Sequence, residues 1–156
     1  MTIRDYLDLA LSYAKGTSGC NKVAVGSVIV KEDRVIALGA NKAIPPKCKT
    51  SLGCLRIEKY GDDSKSHRNP ADCRAIHSEV DAICSAAYNG TSTKGSTILI
   101  TRYPCESCAR AIVDAGIIHV FYGGTADISE QTKTIFDDAG VNVYKITDWM
   151  EDNTDR

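Results

Sequence analysis

Ile3, Leu7, Ala10, Leu11 and Ala14 recur at the spacing of one helical face, with Arg4, Asp5 and Asp8 off it, so residues 3–14 predict an opening amphipathic helix. The segment KGTSGCN interrupts that pattern. Two β-branched runs, 23–30 and 34–40, flank the polar segment KEDR and predict an antiparallel hairpin. From 41 to 74 periodicity lapses, and prolines, glycines, Cys48, Cys54, His67 and Cys73 occupy a stretch whose length calls for either a function or something that holds it in shape. Helical spacing returns over 76–88 and stops at Asn89-Gly90. A short buried strand is predicted at 96–101, a helix at 105–115 stopped by Gly116, a strand at 117–123, a helix at 130–139 closed by Gly140, and a last strand at 141–146. Strands alternating with helices in this order predict an α/β fold. The expected architecture is a three-layer α-β-α sandwich around a mixed five-stranded sheet, with the last three strands parallel. The acidic segment 148–156 is expected to fray.

Length and charge narrow the classes of function. A chain of 156 residues suits one domain with its own core. With 19 basic and 20 acidic side chains interspersed, the net charge is -1, which argues against a polynucleotide partner and leaves room for a small anionic ligand. No run approaches the roughly 18–20 apolar residues of a membrane span, and the first residues lack a secretory pattern, so no membrane partner is expected. Seven cysteines in that setting point to a reducing compartment, the cytoplasm or a host's cytoplasm for a viral protein, where closely spaced thiols serve more often as metal ligands or catalytic groups than as disulfides.

Two fragments carry the chemistry. IHSEVDAIC places His77 and Glu79 at the start of one predicted helix, and YPCESCARAI places Cys105 and Cys108 at the start of the next. Helix starts in such sheets gather at one edge, so the two fragments can converge. Cysteines three apart in a first helical turn share a face, and Pro104 suits the entrance to that turn. Two thiolates and one neutral imidazole balance the charge of Zn²⁺ and fill three tetrahedral positions, leaving a fourth open, as catalytic zinc sites require. Glu79 lies too close in sequence to His77 to bind the same ion but can stand beside the open position and move protons. Either fragment alone is commonplace: a redox pair or two buried thiols in one case, an ordinary helix in the other. In the order H-x-E then P-C-x-x-C, on consecutive helix starts, they match the signature of zinc nucleobase deaminases.

The chain resembles the deoxycytidylate (dCMP) deaminase family, within the wider cytidine deaminase fold group. VGSVIV, GAN, HSEVDAI, PCESCARAI and GIIHVFYG look like that family's successive blocks and cover about 25–123. The family's H-A-E-x-N-A stands here as His77-Ser78-Glu79-Val80-Asp81-Ala82, and its G-Y-N-G as Gly39-Ala40-Asn41-Lys42. The resemblance implies one zinc-dependent nucleotide deaminase domain over 1–156 that hydrolyses dCMP to dUMP and ammonia. Glu79 would act as base and then acid, and His77, Cys105 and Cys108 as zinc ligands. Substrate contacts would come from Asn41, the Ser78 backbone N–H, Tyr103 and Val25. Lys42 would either meet the substrate phosphate or face water. Asp81 would either accept a hydrogen bond from the His77 ring or serve as a solvated or capping carboxylate. A homo-hexamer regulated by dCTP and dTTP is also implied, although the altered G-Y-N-G region bears on that regulation.

The remaining cysteines raise a second expectation. A structural zinc would order an insertion at about 42–75, as in some dCMP deaminases. The preferred ligands are Cys20, Cys48, His67 and Cys73, with Cys54 as substitute; the plain alternative is unpaired thiols and a surface histidine. Cys84 is expected in the core, and His119 as a core or interface histidine. The competing functions are a deaminase of dCTP or of another cytosine or adenosine substrate, and a zinc-binding module without turnover. Val80 stands where free cytidine deaminases are expected to carry arginine, and the acidic tail counts against a tRNA substrate.

Overall fold

The first helix, α1 (Ile3–Thr17), is closed at its N-terminus by a reciprocal box: Asp5 N–H donates to Thr2 Oγ1 at 3.2 Å and Thr2 N–H to Asp5 Oδ2 at 2.6 Å. In this computed structural model, residues 1–20, 23–43, 54–61 and 72–147 are described. The hairpin follows as β1 (Gly26–Lys31) and β2 (Arg34–Ala40), antiparallel, turning through Glu32 and Asp33 at φ 50° and 58°. Two positive φ values in succession match a type I′ turn, whose twist suits a hairpin even without glycine.

The strand β5 (Thr97–Ile100) pairs antiparallel with β1, and β6 (His119–Gly123) and β7 (Asn142–Ile146) then add in parallel, giving the order β2-β1-β5-β6-β7. Parallel neighbours need crossovers, and the chain supplies them as α4 (Glu106–Asp114) between β5 and β6 and α5 (Glu130–Ala139) between β6 and β7. Alternation along the strands divides the core. Val28, Val30 and Leu99 pack on Tyr6, Leu7 and Ala10 of α1. Ile29, Ile98, Ile100, Val120 and Tyr122 pack the other way, on α3 (Ser78–Tyr88), α4 and α5 through Ala82, Ala86, Ala109, Ile112 and Phe136. The expected three-layer sandwich, the mixed sheet and the parallel last three strands are all present. Each fully buried Ile, Leu or Phe contributes about 1.5–3 kcal/mol, so both covered faces are needed to hold the layers.

Two glycines set how closely the layers approach. A Cβ on Gly26 would meet the Ala10 carbonyl of α1, and one on Gly39 would meet the Ser78 carbonyl and the Ala82 nitrogen of α3. The second contact matters for function because it seats the first turn of α3 directly on β2.

The aperiodic stretch contains more order than its pattern signals. Lys42–Ala43 (β3) pairs antiparallel with Ala75–Ile76 (β4), and Leu55–Tyr60 forms a short α2. Asp72 ties α2 down, accepting from Lys59 Nζ at 3.0 Å and from Tyr60 Oη at 2.7 Å. Elements of two and six residues are too short to leave a periodic trace. Ile76 therefore belongs to β4, and the helix expected from 76 begins at Ser78. Cys84 is a second correction: Ala82 and Ala86 face inward one turn apart, and Cys84, between them, is exposed on the opposite side.

Candidate active site

Both ligand-bearing helices begin at a ligand. His77 is the N-cap of α3, in extended backbone just after β4, and Cys105 is the N-cap of α4, in extended backbone just after the turn from β5. Pro104 sits one residue outside the cap rather than in the first turn. Cys108 is the third residue of α4, so the sulfurs occupy N-cap and N3, positions that face each other across a first turn. The β3–β4 register, Lys42 opposite Ile76, brings the 41–42 segment alongside His77.

The three side chains converge. His77 Nδ1 lies 3.5 Å from Cys105 Sγ and 3.3 Å from Cys108 Sγ, and the three ligand atoms lie within 4.8 Å of one another. Zinc–sulfur and zinc–nitrogen bonds of about 2.3 and 2.1 Å at a tetrahedral angle separate N from S by about 3.6 Å, so the spacing and the donor chemistry both fit a zinc ion. Cys108 is buried, Cys105 half-buried and His77 exposed, which places the cluster at the sheet edge with one side open.

Electrostatics prepare the donors. In the metal-free chain the Cys105 thiol is pushed down to about 3, first by a hydrogen bond from the Cys108 thiol, then by His77, Ser107 and the Cys108 N–H at the positive end of α4. Cys108 holds the shared proton, and its own pKa is raised by that bond to Cys105 and by burial. The hydrogen bond with Cys105 raises the His77 imidazole.

Glu79, 4% exposed in the first turn of α3, stands beside this cluster. Burial pushes its carboxyl above the usual range. Ser78 Oγ donates to Glu79 Oε2 at 3.1 Å and lies 2.7 Å from Ser27 Oγ of β1, so two buried hydroxyls fix the carboxyl plane. Sequence reasoning missed Ser27 and gave Ser78 only a backbone role. A serine in each of two blocks was a visible signal, but the pairing of β1 with α3 was not.

The other candidates fall in three groups. Asn41 is buried and spends most of its amide on nearby residues of the same chain. Its Oδ1 accepts from Val25 N–H at 2.8 Å and lies 2.8 Å from Ser18 Oγ, and its Nδ2 donates to the Val23 carbonyl at 2.9 Å. Val25 and Tyr103 both pack against the core that supports α3 and α4, with Arg102 over the Tyr103 ring at 5.8 Å. Asp81 and Lys42 meet each other: Lys42 Nζ is 2.9 Å from Asp81 Oδ1, while Asp81 Oδ2 accepts from Ala40 N–H at 3.0 Å. Asp81 is thus neither a partner of the His77 ring nor a solvated carboxylate, because the start of α3 is pressed against β2 and leaves it facing the 40–42 backbone.

Of the second cysteine set, Cys20, Cys54 and Cys73 are half-buried, and Cys73 Sγ accepts weakly from Ala75 N–H at 3.5 Å. Cys48 and His67 lie outside the described residues. Among the described residues the one metal-competent cluster is His77, Cys105 and Cys108. His119 stands apart in β6, near Asn142 Nδ2 at 3.4 Å.

A three-layer fold that sets an imidazole, two thiols and a buried carboxyl at the starts of two crossover helices defines a zinc-dependent hydrolytic class. The particular family follows from comparison. The model described as "Cytidine and deoxycytidylate deaminase zinc-binding region" matches residues 1–124, and the chain belongs to that family. The chain is 33% identical over 130 residues to ComE operon protein 2 of Bacillus subtilis, covering 83% of this chain and 63% of that protein's length. It is 28% identical over 161 residues to the deoxycytidylate deaminase of Enterobacteria phage T4, covering 83% and 82%. Its fold is like that of the dCMP deaminase from the cyanophage S-TIM5 in apo form, at a TM-score of 0.67 and 22% identity, over 92% of this chain and 96% of that one.

Proposed function

We propose that this chain hydrolyses dCMP to dUMP and ammonia. The observation that carries the reading is the buried Glu79 carboxyl standing beside a His77, Cys105, Cys108 donor set within 4.8 Å. A purely structural zinc site has no use for a proton carrier at its side. The phage T4 relative, similar over most of both chains, supplies the substrate.

His77 Nδ1 and the sulfurs of Cys105 and Cys108 would hold the zinc, which supplies the Lewis acidity that makes water nucleophilic near neutral pH. Glu79 takes a proton from the water that attacks C4 of the cytosine ring and delivers it to N3. It then carries the second proton to the departing amino group, so one carboxyl serves as base and acid. Its buried setting suits this, because burial raises its carboxyl above the usual range and so makes the carboxylate a stronger base toward the attacking water. Ser78 is the first residue of α3, so its N–H lacks a partner within the helix and can donate to the C2 carbonyl of the base. Asn41 has one Nδ2 hydrogen left for the nucleoside, and Val25 and Tyr103 form the wall. Ammonia release measured with dCMP, dCTP, cytidine and adenosine tests the reading; turnover confined to dCTP or to adenosine would replace the substrate, and none with any of the four would leave a binding module.

The same proposal extends to the whole chain. It is one domain, with the 42–75 insertion stapled to the segment before β1 by a second zinc on Cys20, Cys48, His67 and Cys73, or with Cys54 in place of one of them. Two zinc ions per chain by elemental analysis would support this, and one would refute it. Assembly as a homo-hexamer regulated by dCTP and dTTP, in a cytoplasmic setting, completes the reading. Light scattering with and without each nucleotide tests the assembly.

A further inference from the structure

Asp81 and Lys42 are far apart in sequence, yet their side chains meet at 2.9 Å. Their contact has a particular geometry. One carboxylate oxygen of Asp81 takes the Ala40 N–H and the other takes Lys42 Nζ, so a single side chain on the first turn of α3 grips the residue on each side of Asn41. Asn41 is held from its other side by Val25, through its backbone N–H to the Val25 carbonyl at 3.0 Å and through Val25 N–H to its Oδ1. Asp81 is 7% exposed, so its charge depends on these two donors, while the Lys42 side chain is 39% exposed and loses little solvent in supplying one.

We propose that the Asp81–Lys42 pair is a clamp that fixes Asn41 in the wall of the nucleotide pocket, making Asp81 and Lys42 positioning residues for substrate binding. This rests on the dCMP reading above for its ligand. Neither side chain touches the reacting atoms. Asp81 lies two residues beyond Glu79, but its carboxylate is turned to β2 and β3, so the clamp acts on affinity and leaves proton transfer alone. Lys42 is thereby committed to Asp81 rather than to a substrate phosphate.

The test compares Lys42→Met, Lys42→Arg, Asp81→Asn and the double variant Lys42→Met/Asp81→Asn. Lys42→Met is expected to raise KM for dCMP about tenfold with kcat within twofold of wild type, and to speed deuterium exchange in 39–43. Lys42→Arg keeps the pair and should hold both readouts near wild type. In the double variant the neutral amide still accepts the Ala40 N–H and no unpaired charge remains, but the tie to residue 42 is gone, so KM should stay raised about as far as in Lys42→Met. Competitive inhibition by dUMP and by deoxyuridine should weaken equally in Lys42→Met; weakening confined to dUMP would place Lys42 on the phosphate and overturn the clamp. An unchanged KM with unchanged exchange in 39–43, a fall in kcat alone, or a double variant whose KM returns to wild type would overturn it as well. If the wild-type chain releases no ammonia from dCMP, the functional reading fails. The clamp is then judged by exchange in 39–43 and by unfolding midpoints, where Lys42→Met and Asp81→Asn must be non-additive.

Discussion

Replacing Glu79 with glutamine keeps the shape and the hydrogen bond from Ser78 Oγ while removing the ability to carry a proton. Positioned acid–base groups contribute about 10²- to 10⁴-fold. The structure argues for the upper end of that range. Among the described residues no other carboxyl is buried against the ligand cluster, since Asp81 is tied to Ala40 and Lys42, and nothing nearby can substitute. A loss of about ten-thousand-fold in kcat corresponds to about 5 kcal/mol of transition-state stabilisation. The assay is ammonia release at saturating dCMP, with zinc per chain measured on the same sample. Full zinc content with kcat within tenfold of wild type would refute the role assigned to Glu79.

The same substitution has a stability signature of opposite sign. Burial raises the Glu79 carboxyl above its unfolded value, so the folded state binds that proton more tightly and loses stability as pH rises through the folded pKa. Glutamine has no charge to bury. The metal-free Glu79→Gln chain should therefore unfold at a higher temperature than metal-free wild type at pH 8, with the gap closing as pH falls below the folded pKa of Glu79. A gap that widens toward acid would show that the carboxyl is not paying a burial cost.

Three further outcomes follow from the geometry. In the metal-free chain Cys105 should alkylate with iodoacetamide at pH 5, because its pKa is about 3, while Cys108 stays protected; mass spectrometry reads both, and a Cys105 profile with an ordinary thiol midpoint would contradict the shared proton. Zinc should abolish the alkylation of Cys105, and unaltered Cys105 reactivity in excess zinc would argue that it is not a ligand. Gly39→Ala forces a methyl group into the Ser78 carbonyl and the Ala82 nitrogen and should cost about 1–3 kcal/mol or more, lowering the unfolding midpoint by several degrees, with turnover lost in parallel.

The His77, Cys105 and Cys108 cluster and the neighbouring Glu79 were legible in the sequence because their spacing is local. His77 and Glu79 share one helix start, Cys105 and Cys108 another, and consecutive crossover helices in such a sheet start at the same edge. The main strands and helices were legible for a similar reason: core faces such as Leu7, Ala10 and Ala14 or Val28 and Val30 repeat at the period of their element. What was not legible is whatever joins distant segments through side chains. No window of sequence contains Ser27 with Ser78, or Lys42 with Asp81. The β3–β4 pair, two residues to a strand, has no period to detect. Cys84 was misjudged because an apolar helix does not say which of its apolar residues faces in until Ala82 and Ala86 are seen to dominate the contact with the sheet.

The departures from the family pattern follow a rule once their contacts are known. Ser78, Asp81 and Lys42 each differ from the pattern the chain resembles, and the proposed roles make none of them a zinc ligand or the proton carrier. Ser78 adds a hydroxyl that binds Ser27 and Glu79 from behind, and Asp81 and Lys42 add opposite charges that bind each other across the layer between α3 and β3. A lone carboxylate at 81 would be buried without a cation, so the half-exposed Lys42 offsets the burial of Asp81. Under the roles proposed above, His77, Glu79, Cys105 and Cys108 keep the pattern the chain resembles, while the residues that differ from it lie behind Asn41 and Glu79. If the proposed roles hold, substitutions at 42 and 81 should therefore move KM and leave the bond broken and the order of proton transfers unchanged.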